Sequence, residues 1–201
     1  MRRRTFDVIA STIGLGLAAL LIVAGGLLTW ANTFVGDQVH DQLAAQKIFF
    51  PAKGSESLTE LKGADFAAVS KYAGQQLTTG AQAEAYADHF IGVHLKGIGG
   101  GKTYAELSGA ALKDPANEKL QGQVATMFKG ETLRGLLLNA YAFGKMATIA
   151  GIAAIAAFVG AGLMLVLGGL GLWHAHRVPI EAEVLTGKRA RKPATAPATA
   201  G

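Results

Sequence analysis

Two long stretches without a single charged residue constrain this chain more than any other feature. Lys, Arg, Asp and Glu are absent from Val8–Trp30 and from Ala147–Trp173, which holds 27 residues. As an α-helix the second stretch is roughly 40 Å long. The hydrocarbon core of a bilayer is about 30 Å thick, so each stretch is long enough to cross it with some tilt. We therefore predict an all-α integral membrane protein with two transmembrane helices and a helical domain inserted between them.

The basic residues lie beside these apolar stretches. The net charge is +5, yet residues 31–146 hold eleven basic and eleven acidic side chains, so the whole excess lies at the two ends. Lys and Arg concentrate on the cytoplasmic side of membrane spans. This pattern explains the basic pI better than nucleic-acid binding does, and we predict no nucleic-acid partner. The residues that predict the topology are Arg2, Arg3, Arg4 and Arg177.

These residues predict a multi-pass protein of the cell membrane with both termini in the cytoplasm. Trp30 and Trp173 stand at span ends, where indole rings favour the membrane interface. The apolar run of 23 residues after the arginines favours an uncleaved signal anchor, since a cleaved signal peptide has a shorter core; cleavage near Ala31 stays open. The predicted segments are a cytoplasmic basic N-terminus (1–7), transmembrane helix 1 (8–30), an extracytoplasmic helical domain (31–146), transmembrane helix 2 (147–173) and a cytoplasmic basic, partly disordered tail (174–201).

Hydroxyl and carboxylate residues predict where helices begin in the middle domain. Ser57, Thr79 and Thr103 are each followed three residues later by Glu or Gln, the spacing of a capping box. Asp114 precedes a proline, which favours the first position of a helix. We expect the helix that begins at Asp114 to continue without a break into the second span, and residues 32–46 to extend the first span.

The helix predicted from about Thr79 to Gly97 has one apolar face, formed by Ala83, Tyr86, Phe90 and Val93. The three glycines at 99–101 separate it from the next helix. Strand patterns are weak; residues 47–51 are predicted to pair briefly with another segment or to dock on the domain.

Motifs for catalysis or metal binding are weak. Residues 99–103 read Gly-Gly-Gly-Lys-Thr, but the glycine that a P-loop needs is Lys96, so a turn before a Thr103 cap is favoured. His89 and His94 are about 140° apart on a helix and do not converge on one ion. A His/His/carboxylate iron site built across helices stays open. Cysteine is absent, which excludes disulfides and thiolate chemistry. We predict no catalytic, cofactor-binding or metal-binding residue, and no cofactor.

Small residues recur in the second apolar stretch at every fourth position: Ala153, Ala157 and Ala161. Rows of this kind let membrane helices approach closely. The row predicts helix packing, either with the first span, which carries Gly14, Ala18 and Gly25, or with a second copy of the chain.

Four segments resemble a known group of proteins: MRRRTFD, GDQVHDQLAAQKIFFP, KYAGQQLTTGAQAEAYADHFIGVHLK and GETLRGLLLNAYAFGKM. Over residues 1–177 the chain resembles a family of small actinobacterial two-span membrane proteins of unknown function, often labelled aromatic ring-opening dioxygenase LigA. The label implies non-haem iron chemistry, for which this sequence carries no ligand motif.

The sequence favours a non-enzymatic protein of the cell envelope whose outer helical domain serves protein interaction or acts as an accessory subunit. The expected partners are the lipid bilayer and either a membrane or envelope protein or a second copy. The alternatives are the dioxygenase of the family label and a membrane sensor or adaptor.

Overall fold

The computed structural model describes residues 3–179, and these residues are helical without a β-strand, as predicted. The chain divides into two compact units. The helical domain is Thr29–Gly151, and the paired-helix unit combines Met1–Leu28 with Ile152–Gly201. The helices are α1 (Arg3–Ala45), α2 (Glu56–Thr59), α3 (Gly63–Ser70), α4 (Gly80–Tyr86), a π-helical turn (Ala87–Ile91), α5 (Gly92–Ile98), α6 (Tyr104–Lys113) and α7 (Glu118–Arg177).

Two of these helices, α1 and α7, are long and apolar enough to cross a membrane. They have 43 and 60 residues, so α7 alone is about 90 Å long at about 1.5 Å per residue. The expected extension of the first apolar stretch through residues 32–45 is confirmed, and so is the unbroken helix that runs into the second stretch. Arg2 and residues 180–201 of the predicted cytoplasmic tail lie outside the described residues.

Two of the four predicted caps are confirmed. Thr79 and Thr103 each accept a hydrogen bond from the backbone N–H three residues later, and Gln82 and Glu106 return the bond to the cap backbone. Each box satisfies amide groups that the first helical turn leaves unpaired. The predicted separation of two helices by residues 99–101 is also confirmed, with Gly100 and Gly101 at positive φ.

The other two predicted caps are wrong. Ser57 lies inside α2, because that helix already begins at Glu56 after the extended residue Ser55. Asp114 ends α6, and its carboxylate accepts a hydrogen bond from the Asn117 side chain at 3.0 Å. The cap of α7 is Asn117, whose side-chain oxygen accepts from Leu120 N at 3.1 Å. A turn at residues 114–117 therefore delays the start of α7 by about one helical turn.

The core of the helical domain lies between α7 and the segments that precede it. Its buried residues are Leu43, Phe50, Leu58, Leu61, Val69, Leu77, Ala83, Ala85, Ala87 and Leu137. Phe50 packs against the rings of Tyr72 and Tyr86, with centroids 5.2 and 5.3 Å away. A second cluster of Leu95, Leu107 and Met127 joins α5, α6 and α7. The apolar face predicted for the 79–97 helix is thus the face that the core buries.

The segment around Phe49 forms short antiparallel contacts with residues 74–77. Phe49 makes a single β-bridge with Gln76, Phe50 N donates to Gln75 O at 2.9 Å, and Leu77 N donates to Ile48 O at 2.9 Å. The brief pairing expected for residues 47–51 is therefore present, and it is too short to count as a strand.

Candidate functional site

Two ionisable side chains of the helical domain lie next to each other in the π-helical turn Ala87–Ile91. A π turn widens the helix by one residue, and such turns are frequent at functional sites. Here it presents Asp88 and His89 in succession, and each forms a contact with a different element. Together with neighbouring charged residues they line a groove of about 480 Å³. We call it the π-turn groove.

Asp88 connects this turn to α7. Its Oδ1 accepts from Arg134 Nη2 at 2.8 Å and from Arg134 Nε at 3.2 Å, and Arg134 Nη1 also lies 3.4 Å from Glu131 Oε2. The hydrogen bond to Asp88 raises the pKa of Arg134 above its usual value. The guanidinium therefore stays charged and its charge is matched by two carboxylates.

His89 connects the same turn to α3. Its Nδ1 lies 2.7 Å from Asp65 Oδ1, with both side chains about 40% exposed. His94, further along the chain, uses its Nδ1 to donate to Phe90 O at 2.7 Å, and its ring packs at a tilt against the Phe90 ring, with centroids 4.4 Å apart. The two histidines thus have separate partners and do not converge, as their spacing predicts.

These contacts do not fit the iron site that the family label implies. Such a site brings two histidines and a carboxylate to one point. Within residues 3–179, no three His, Cys, Asp or Glu side chains are placed to hold a metal ion.

A second cleft, of about 610 Å³, lies between α1, the start of α4 and α7. We call it the α1–α4–α7 cleft. Asp37, Glu84 and Lys145 line it from these three helices, and Asn32 and Thr148 line it near the apolar stretches. Gly80 and Gly144 also line it, and their backbones approach so closely that a Cβ on Gly144 would lie 3.2 Å from Gly80 Cα. The two glycines therefore set how near α4 lies to α7.

In the paired-helix unit, α1 and α7 pack antiparallel through small residues. Ser11 faces Gly168 and Gly171, Leu21 faces Gly160, and Phe158 faces Gly25. The buried small residues recur every seven positions: Ser11, Ala18 and Gly25 on α1, and Ala154, Ala161, Gly168 and Ala175 on α7. A seven-residue repeat drifts by only about 20° per step, so it keeps one face toward the partner helix.

The residues predicted for helix packing lie in or beside this contact. Ala161 is buried, whereas Ala153 and Ala157 are half-buried. In a row of every fourth residue, each step rotates by about 40° around the helix axis. Such a row therefore leaves the contact line that the seven-residue repeat follows. Specific packing by Ala153, Ala157 and Ala161 together stays a prediction.

The residues predicted for the membrane interface and for topology are exposed where the structure describes them. Trp30 is exposed and stacks on Phe34 with centroids 5.4 Å apart. The guanidinium of Arg177 lies 4.2 Å from the centre of the Trp173 ring, a cation–π contact. Near the same helix end, His174 Nε2 lies 4.0 Å from Asp7 Oδ2.

Sequence reasoning missed the Asp88–Arg134 pair and the α1–α4–α7 cleft. The two paired residues are 46 positions apart, so no local spacing relates them, and the cleft is formed by three separate helices.

No family model matches the chain, and neither does any curated protein or any solved structure.

Proposed function

We propose that the chain is a two-span integral protein of the cell membrane, with both termini in the cytoplasm and residues 31–146 outside. The observation that carries this proposal is the apolar surface of the paired-helix unit. Soluble monomers rarely expose contiguous apolar patches larger than a few hundred Å². The side chains that are more than half exposed here are Ile13, Leu20, Val23, Leu27, Ile152, Ile155, Val159, Leu163, Val166, Leu167, Leu170 and Trp173. Lipid tails are the solvent that suits such a surface.

The backbone of these two helices suits the same environment. A helix satisfies its own amide and carbonyl groups, which hydrocarbon cannot do. The facing sides of α1 and α7 carry Gly, Ala and Ser, which permit close contact in lipid, where apolar burial contributes little to association. Arg3, Arg4 and Arg177 at the same ends agree with cytoplasmic termini.

We further propose that the outer domain acts non-enzymatically, as an interaction domain or an accessory subunit of the cell envelope. Support comes from the part of α7 that precedes the second apolar stretch, because it carries exposed apolar residues. Leu136, Phe143 and Met146 lie within about 80° of one another around the helix, and each is more than half exposed. They form an apolar stripe on the outer domain that suits contact with a membrane or envelope protein or with a second copy.

Single cysteines test the topology, because the chain has none of its own. Lys53→Cys and Ala198→Cys are each made in the full chain, and intact cells are treated with a membrane-impermeant maleimide. We expect labelling of the first variant in intact cells and of the second only after lysis. Labelling in the opposite order would contradict the topology, and release of the protein from membranes by alkaline carbonate would contradict insertion.

A photo-crosslinking amino acid at Phe143 tests the interaction role, and the same group at the exposed Lys53 is the matched control. We expect crosslinks to a protein, or to a second copy of the chain, at Phe143 and few at Lys53. Equal yields at both positions, or no protein crosslink at either, would contradict an interaction surface on this side of α7.

A further inference from the structure

The α1–α4–α7 cleft has the size and the mixed lining of a ligand site. Its volume of about 610 Å³ lies in the range of pockets that bind small molecules, about 300–1,000 Å³. Its lining combines carboxylates, an ammonium group, threonine hydroxyls and an amide with the Tyr141 ring and small residues. A cleft of this composition suits a small polar group that carries charge.

Three charged residues of the cleft form no hydrogen bond or ion pair inside the described chain. Asp37 on α1 is exposed and Glu84 on α4 is half-buried, and neither forms a hydrogen bond or ion pair with residues 3–179. The exposed Lys145 on α7 makes a cation–π contact with the Tyr141 ring, whose centre is 5.7 Å from Nζ. His40 also lines the cleft, and its Nδ1 lies 3.2 Å from Oδ1 of Asp41, which lies outside the cleft. Besides the His40 ring, the cleft therefore presents two carboxylates that can accept hydrogen bonds and one ammonium that can donate them.

The cleft lies close to the ends of the two proposed membrane spans. Asn32 follows Trp30 by two residues, and Thr148 follows the first residue of the second apolar stretch. At about 1.5 Å per residue, both lie within a few ångströms of the ends of the proposed spans. Lipid headgroups occupy that level of a bilayer.

We propose that the α1–α4–α7 cleft binds a zwitterionic group that combines a primary ammonium with a phosphate, as in the headgroup of phosphatidylethanolamine. Asp37 and Glu84 accept hydrogen bonds from the ammonium, and Lys145 binds the phosphate. This inference rests on the proposed membrane function, which places the cleft at the headgroups. The same chemistry exists in free O-phosphoethanolamine, and the test separates the two sources.

The test uses the full chain in mild detergent and short-chain lipids, with bound lipid counted by native mass spectrometry. Dihexanoyl phosphatidylethanolamine is compared with dihexanoyl phosphatidylcholine, whose ammonium has no N–H, and with dihexanoyl phosphatidylglycerol, which has no ammonium. The variants are Asp37→Asn with Glu84→Gln, and Lys145→Met; Glu60→Gln, at an exposed carboxylate that does not line the cleft, is the matched control. Circular dichroism checks that each variant is folded.

We expect preferential binding of phosphatidylethanolamine, weakened about tenfold or more by the Asp37→Asn, Glu84→Gln pair, because a charged hydrogen bond contributes on that scale. Lys145→Met weakens binding of the same lipid, and Glu60→Gln leaves it unchanged. If free O-phosphoethanolamine displaces the bound lipid at concentrations similar to those of the lipid, the site belongs to a soluble ligand. If it displaces the lipid only at large excess, the site belongs to the lipid.

Equal binding of the three lipids, or folded cleft variants that bind like the original chain, would overturn the proposal. These outcomes are distinct from failure of the membrane function, which the cysteine labelling detects independently of any ligand.

Discussion

Arg134 on α7 donates two hydrogen bonds to Oδ1 of Asp88, at 2.8 and 3.2 Å, and so connects the longest helix to the π-helical turn. Both side chains are a little more than one-third exposed, so solvent screens the pair. We expect Arg134→Met to lower the free energy of unfolding by about 1 kcal/mol, the upper end for partly exposed pairs. Urea unfolding of the detergent-solubilised chain measures this loss.

Two further variants separate the geometry of the Asp88–Arg134 pair from its charge. Arg134→Lys keeps the charge but cannot donate in the same forked geometry, so its stability should be intermediate. Lys129→Met removes an exposed charge from the same helix and should leave stability unchanged. Hydrogen exchange at residues 87–98 should be faster only in the Arg134 variants; equal exchange in all three would contradict a role for the pair in holding the turn.

Acid should loosen the first turn of α6 through Glu106. The pKa of Glu106 lies below its ordinary value of 4.5 because its carboxylate accepts hydrogen bonds from the backbone N–H of Thr103 and then from the Thr103 hydroxyl. A carboxylate whose pKa is lower in the folded chain than in the unfolded chain stabilises the fold at any pH above the unfolded-state pKa. This stabilisation is lost as the pH falls through the lower, folded-state pKa. Hydrogen exchange at the start of α6 should therefore accelerate below the ordinary pKa.

The chain provides its own control for this pH effect. The capping box of α4 has Gln82 in place of the glutamate, and Gln does not titrate. Exchange at the start of α4 should not follow the same acid transition, and Glu106→Gln should remove the transition from α6. An acid transition of equal size in α4 would show that protonation of groups other than Glu106 causes the faster exchange.

The capping boxes show what could be predicted from sequence. Thr79 and Thr103 were identifiable because a box is a local interaction with a fixed spacing of three. Ser57 has the same spacing and is not a cap, since Ser55 already begins the turn. Local spacing therefore finds the candidates, but the backbone conformation before the helix decides among them.

The candidate sites depended on longer-range relationships. Asp88 and Arg134 meet because α7 packs against the π turn, and an i→i+5 turn has no spacing signature in a sequence. The apolar stretches were predictable because composition alone determines them. The seven-residue contact between α1 and α7 was not, because a helix rich in Ala and Gly contains several competing rows of small residues.

The close approach of Gly80 and Gly144 should make position 144 intolerant of a side chain. A Cβ there would lie 3.2 Å from Gly80 Cα and 3.6 Å from Gly80 N, both backbone atoms. We expect Gly144→Leu to lower the free energy of unfolding by about 1–3 kcal/mol, as overpacking does. Gly135→Leu is the matched control on α7, since no atom beyond the adjoining turns of its own helix lies within 4 Å of its Cβ position; it should be neutral or stabilising because Leu favours helix. Similar urea midpoints for the two variants would contradict this close contact.

The contact between α1 and α7 in the paired-helix unit can be tested with neighbouring glycines. A Cβ at Gly168 would lie 2.9 Å from Leu15 Cγ and 3.3 Å from Ser11 O, whereas a Cβ at Gly169 would have no atom of another helix within 4 Å. Gly168→Leu should therefore separate the helices, because the Ser11 carbonyl cannot move without shifting the α1 backbone, and Gly169→Leu should direct its side chain away from α1. We expect a lower thermal midpoint in detergent for Gly168→Leu alone. Cysteines at Gly14 and Leu167, which line one cavity between the helices, should crosslink less in that variant. Unchanged crosslinking in Gly168→Leu would contradict the antiparallel packing, and an equal loss in both variants would show that added bulk, rather than the contact, is responsible.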